Sequence, residues 1–399
     1  MTNPGLLDEI RRRRQELVRD GRWNEADQFV ADAVPALEPT ALAYLPGSPG
    51  GGSDPAVFRA VQAVHRGTGR AEAVAAARCA LETRALDPGA FWQAVMVLVH
   101  AGEVAEAHRH WFATGDDLLG GRIMLSRGDP RAAARLWGGA REGVAVAWLA
   151  LALTEIGEFD RAGALLADRP DGAEVCFARG RLFLAQGRSA AALDEFLDCG
   201  RRLAPWGVVN PAVVPWRSSA ALAAADLGDL VLARVLAEKD LVAARRWGAA
   251  RGIGLALHAA ALARGGDDVL LEEALTVLGE GSADALRARH DLAQLLLARG
   301  EVDRARRHSR RLREAAFSPQ WIGVAEALAA RLLRNDGESA LSGQERRIAL
   351  LARAGRSNRE IAGELGLTLR TVEFHLTAVY RKMGVAGRPG LRRAFVPTA

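Results

Sequence analysis

A chain of 399 residues, 49% hydrophobic and 25% charged, has material for two or three domains with buried cores. Aromatics at 6% favour helices over sheets, and the longest apolar runs, such as Val144–Leu153, are too short to cross a bilayer. The net charge of +5 is uneven: from Leu341 onward eleven Arg or Lys face four Glu, whereas the first 340 residues hold 42 basic and 44 acidic side chains, so a polyanion is expected to meet the tail alone.

No N-terminal stretch has the layout of a signal peptide, and the expected location is the cytoplasm. Arg11–Arg14 read as the solvated face of a first helix, with a second nucleic-acid arm as the alternative. Pro46–Ser53, with four glycines and two prolines, reads as a flexible loop. Cys79, Cys176 and Cys199 lie far apart and read as buried thiols rather than metal ligands or a disulfide. His108 and His110, one residue apart on a helix, point in different directions and do not make a metal pair.

Through the middle of the chain a short signature recurs, in which Gly follows an apolar helix and Ala comes five residues later. It is found at Gly21/Ala26, Gly102/Ala107, Gly128/Ala133, Gly157/Ala162, Gly187/Ala192, Gly228/Ala233 and Gly300/Ala305. Gly takes the left-handed turn that ends one helix, and a small Ala lets the next helix pack closely. Successive glycines from Gly102 to Gly228 lie 26, 29, 30 and 41 residues apart. The pattern resembles a degenerate tetratricopeptide solenoid over most of residues 8–334, with an irregular helical array as the alternative. Trp206, Trp216 and Trp247 read as packing residues, and alternatively as the lining of a ligand groove. Asn335–Ser339 reads as a linker. The expected domains are therefore an array over 1–334, a linker over 335–340 and a separate domain over 341–399.

The tail divides into four short helices. Ser342 with Glu345 forms a capping box for the first, and Ile348 and Leu351 give it an apolar face before Gly355 ends it. Asn358 can cap a second helix carrying Ile361 and Leu365, which Gly366 stops. Thr368 caps a third that runs to about Met383, with Gly384 closing it. Two helices joined by a short Gly-containing turn make a helix-turn-helix. On the third helix Val372, Leu376, Val379 and Met383 form the buried stripe, while Arg370, Glu373, Phe374, Thr377 and Arg381 face outward. A helix lying in the major groove of DNA gives such a face a purpose.

The tail resembles the LuxR-type helix-turn-helix domain. The likeness is carried by Leu341, Ser342, Glu345, Ile348, Gly355, Ser357, Asn358, Glu360, Ile361, Ala362, Thr371, Val372, His375, Lys382, Met383, Gly384 and Val385, over residues 341–396. Gln344, Arg347 and Ala349 depart from the family pattern, the last thinning the core. The resemblance implies that Glu373, Phe374 and Thr377 face bases. It implies that Ser357, Asn358, Arg359, Thr368, Arg370, Thr371, Arg381 and Lys382 hold the DNA backbone, and that His375 packs against the domain. The family's fourth helix pairs two domains on DNA. Here it opens Gly387-Arg388-Pro389-Gly390, which weakens that expectation.

Asn210–Arg217 and the stretch after Leu227 resemble the C-terminal half of large ATP-binding LuxR-family regulators. A phosphate loop needs Gly-x-x-x-x-Gly-Lys-Ser/Thr, and the lysines are Lys239 and Lys382 alone, so no ATPase is expected; no Ser-His-Asp, Cys-His or paired-carboxylate arrangement has local support, so no catalytic site or cofactor is expected. The fold class expected is all-α. The partners expected are double-stranded DNA, a second copy of the chain as a homodimer, and a small-molecule or protein effector on the array, with no membrane. The alternative is a tetratricopeptide-type protein–protein adaptor whose DNA binding is vestigial.

Overall fold

The computed structural model describes residues 54–394 apart from 83–85, 87, 141–143, 168, 170–171 and 340. The expectations for Gly21/Ala26, Arg11–Arg14 and the loop at 46–53 lie outside the described residues. Among those described the only regular structure is helical. They fall into two compact units: residues up to Leu292 with Ala315–Trp321, and Ala293–Glu314 with the residues from Ile322 on.

In the first unit helices come in pairs: α1 (Pro55–Arg66) with α2 (Arg70–Glu82), α3 (Pro88–Ala101) with α4 (Val104–Phe112), α5 (Asp117–Ser126) with α6 (Pro130–Leu136), and α7 (Val144–Ile156) with α8 (Phe159–Leu166). Then follow α9 (Ala173–Ala185) with α10 (Ser189–Leu203), α11 (Trp216–Asp226) with α12 (Leu230–Trp247), and α13 (Ala250–Ala263) with α14 (Asp268–Leu278). α15 (Ala283–Ala298) belongs to this unit as far as Leu292. Helices pack on their pair partner and on the next pair, as α7 does on α8 and α9. That is the stacking of a tetratricopeptide-like solenoid.

The Gly/Ala signature marks the turns inside these pairs. Gly102, Gly128, Gly157, Gly187 and Gly228 have φ between 73° and 89°, the left-handed region. The following N–H reaches back to the last helical turn, from Glu103 to Leu98 O and from Glu158 to Leu153 O, each at 2.9 Å, as in a Schellman motif. Ala107, Ala133, Ala162, Ala192 and Ala233 are fully buried. The α13–α14 pair turns at Gly265 and Gly266 but buries Leu271 where the signature requires Ala, and so escaped it. The 41-residue interval arises because α10 is long and is followed by a 3-10 turn and the non-helical segment 207–215.

That segment and the end of α12 bind back to α1, the turn after it and α3. Asn210 Nδ2 donates to Val64 O at 2.7 Å, Trp247 Nε1 to His100 O at 2.7 Å and Arg246 Nε to Gly67 O at 3.0 Å, while His100 Nδ1 lies 2.9 Å from Ala212 O. Trp206 and Trp247 are buried in the core this creates. Cys176 and Cys199 are buried thiols as expected, but Cys79 of α2 is exposed. His108 stacks with Phe112, its ring 6.4 Å away.

In the second unit, Gly300 (φ 78°) precedes α16 (Val302–Ala315) and Ala305 is fully buried, repeating the signature. Helix α17 (Pro319–Ser339) runs through Asn335–Ser339, where the sequence suggests a linker. Extending an existing helix gains a hydrogen bond for each residue fixed, and one internal Gly costs only about 1 kcal/mol, so a polar stretch with one glycine can remain helical. The tail follows as α18 (Gly343–Arg353), α19 (Asn358–Leu365), α20 (Leu369–Lys382) and α21 (Gly387–Ala394).

Candidate nucleic-acid interface

The tail holds its outward face on a core of its own. Ile348, Ala349 and Ala352 of α18, Ile361 and Ala362 of α19, Val372, Leu376 and Val379 of α20, and Leu391 of α21 are buried together with Leu341 and Met383. Ala349 leaves no exposed surface, so this position stays in the core with the smaller side chain.

Local chemistry fixes where each helix starts. Ser342 Oγ accepts from Glu345 N at 3.2 Å, and Glu345 Oε2 accepts from Ser342 N at 2.6 Å. The same box opens α19, but its cap is Ser357 rather than Asn358: Ser357 Oγ accepts from Glu360 N at 3.2 Å and Glu360 Oε2 from Ser357 N at 2.6 Å. Reciprocal bonding satisfies two amide donors at once, which a cap at Asn358 could not do without an acidic residue three places on. The Ser357 amide draws the Glu360 carboxyl below its ordinary range. Thr368 caps α20, its Oγ1 accepting from Thr371 N at 3.2 Å and lying 2.7 Å from Thr371 Oγ1.

On α20 the five outward positions are 370, 373, 374, 377 and 381. At about 100° per residue they fall within an arc of roughly 100°, opposite the buried stripe of Val372, Leu376, Val379 and Met383. All five are exposed, and Phe374 leaves 72% of its surface open. His375 is half-buried and meets Phe374 edge-on, ring centres 5.9 Å apart. Thr377 Oγ1 donates to Glu373 O at 2.9 Å.

The positions expected on a DNA backbone divide into two groups. Ser357, Arg359, Thr368, Arg370 and Arg381 are exposed, and Thr371 is half-buried beside Thr368. Lys382 and Asn358 are engaged inside the domain. Lys382 Nζ donates to both carboxylate oxygens of Glu345, at 2.6 and 2.9 Å. Together with the Ser342 amide it holds the Glu345 carboxyl well below its usual range, at about 2. Asn358 Oδ1 accepts from Arg388, which also donates to Arg356 O and Ala352 O. Arg388 therefore clamps α21 to the corner between α18 and α19. Its role was not foreseen, because its partners lie 30 to 36 residues away.

Residues 339–394 match the family model described as bacterial regulatory proteins, luxR family. The tail is a LuxR-family domain. A relative, the transcriptional regulatory protein MctR of Rhizobium johnstonii, is 41% identical over 71 residues, which are 18% of this chain and 33% of that protein, so the likeness spans a third of the relative's length. Among solved structures, a chain of the crystal structure of the APC/C hetero-tetramer Cut9-Hcn1 superposes with a TM-score of 0.46 at 14% identity, covering 77% of this chain and 64% of that one. No described helix is long and apolar enough to cross a membrane.

Proposed function

We propose that the protein is a sequence-specific DNA-binding transcription regulator of the cytoplasm. Its LuxR-type domain holds the operator, and its helical array receives a small molecule or a partner protein. The observation that carries this reading is the exposed stripe of α20, where an open phenylalanine ring lies among two arginines, a glutamate and a threonine. In a major groove Arg reaches phosphate or guanine, Glu accepts from cytosine N4 and the Phe ring packs on a thymine methyl. Glu373, Phe374 and Thr377 are the base-facing residues of this reading.

Ser357, Arg359, Thr368, Arg370, Thr371 and Arg381 serve the phosphates, joined by the free amide end of Asn358. The positive ends of α19 and α20 carry all of these residues but Arg381, which stands in the last turn of α20, and such ends favour anions. Lys382 is a positioning residue, since its charge is turned to Glu345. Binding would be as a homodimer on two half-sites about one helical turn apart, and the proposed activity is binding, with no chemical step.

The test is selection of bound duplexes from a random pool by the full chain, followed by gel shift of the enriched sequence. An enriched motif bound with strong salt dependence supports the regulator. Absent or salt-insensitive retention favours the adaptor.

A further inference from the structure

The near-neutral balance of the first 340 residues conceals a strongly basic helix. Residues 299–314 hold seven arginines against three acidic residues, and six of those arginines stand on α16. This helix belongs to the second compact unit, which also contains the LuxR-type domain. In sequence that unit carries 20 basic and 10 acidic side chains, whereas the first unit carries 33 and 38. Positive charge is therefore gathered on one unit, and not on the tail alone.

Helix α16 turns Ala305, His308, Ser309 and Leu312 inward. Opposite them Arg307, Arg310 and Arg311 are exposed and, at about 100° per residue, share an arc of roughly 100°. Two of the other arginines are matched locally: Arg304 lies 2.7 Å from a Glu301 carboxylate oxygen and Arg306 2.7 Å from one of Asp303. The side chains of Arg307, Arg310 and Arg311 make no ion pair or hydrogen bond among the described residues, although Asp303 and Glu314 stand at the two ends of the face. A guanidinium keeps its proton at any working pH, and like charges three and four residues apart on a helix repel. Arg307 stands at those two spacings from Arg310 and Arg311, so an anion covering the face would relieve the repulsion. The chemistry of the occupant follows from two features. No exposed side chain of α16 is apolar, whereas a helix lying on a membrane needs an apolar face to bury. Planar guanidinium forks fit phosphate oxygens with paired hydrogen bonds, and arginines clustered along one helix face are the footprint of a nucleic-acid backbone.

We propose that α16 is a second contact with duplex DNA, in which Arg307, Arg310 and Arg311 take backbone phosphates and read no base. The proposal rests on the reading of the protein as a DNA-binding regulator and extends it. Helix α20 supplies the choice of sequence, and α16 supplies affinity that is the same for every sequence.

The experiment is fluorescence anisotropy of the full chain on the duplex selected by the parent and on a scrambled duplex of equal length, over a series of salt concentrations. The triple variant Arg307→Gln, Arg310→Gln, Arg311→Gln should reduce the slope of log affinity against log salt by about two to three units on both duplexes, and leave the ratio of the two affinities unchanged. Replacing the same three residues by Lys keeps the charge and should keep most of the slope. Arg127→Gln, Arg131→Gln, Arg135→Gln removes three exposed charges of the same kind at α6 of the first unit and should leave the slope as in the parent. Circular dichroism checks that each variant is folded. An unchanged slope in the α16 variant, or an equal loss in the α6 variant, overturns the proposal. A motif selected by the parent with the slope unmoved removes α16 alone. Equal binding of both duplexes by the parent, with the slope still falling in the α16 variant, removes the sequence-specific regulator and leaves α16. Binding of neither duplex by the parent removes both.

Discussion

Lys382 at the end of α20 reaches back to Glu345 at the start of α18, its Nζ 2.6 Å from the carboxylate that also completes the first capping box. One carboxylate thus caps a helix and anchors the end of the outward-facing one. Glu345 is buried while Lys382 is half-buried, so removing the lysine leaves a shielded charge with one partner fewer.

Lys382→Ala should lower the stability of the tail by about 1–3 kcal/mol, read by chemical denaturation of the full chain with a probe on the tail. The pH dependence has a definite sign. The Glu345 carboxyl is depressed to about 2 in the folded state, against about 4.3 for a free glutamate. Its contribution is therefore present above about pH 4.3 and is lost as pH falls towards 2. Glu345→Gln should flatten the acid limb of the stability profile, and an unchanged acid limb would remove the pair from the account.

Arg370 is exposed at the start of α20, and the proposed function puts it on a phosphate. Arg370→Ala should weaken binding to all duplexes alike and reduce the slope of log affinity against log salt by about one unit. Gel shifts over a series of salt concentrations read this directly. A parallel salt plot with intact affinity would reassign the residue.

The solenoid offers a test of packing. A Cβ added at Gly180 of α9 would lie 2.5 Å from the Phe196 ring of α10, a ring with no exposed surface. Gly180→Ala should destabilise the array by about 1–3 kcal/mol, because the ring has no room to move away. A thermal melt unchanged within about 1 °C would show looser packing here than the geometry requires.

Much of this architecture was legible because it is written in local chemistry. A left-handed Gly followed five residues later by a buried Ala needs only one helix turn to be recognised, and it located Gly102, Gly128, Gly157, Gly187 and Gly228. The α13–α14 turn was missed because Leu271 fills the Ala position. Choosing Ser357 over Asn358 as a cap was also within reach, since Glu360 stands three residues after the serine. At Asn335–Ser339 polarity and one glycine do not break a helix that is already formed. What sequence could not supply was coincidence across the chain. Asn210 reaches Val64 O of α1 and Ala212 O meets His100 of α3 across more than a hundred residues, and no local spacing records that.

The base-facing role of α20 is tested most directly by selecting duplexes with the full chain carrying Glu373→Ala and comparing the motif with the parent's. The account predicts that one base pair loses its preference, at a cost of roughly 1–3 kcal/mol of discrimination, while overall binding and its salt dependence remain. An identical motif from both proteins would contradict it.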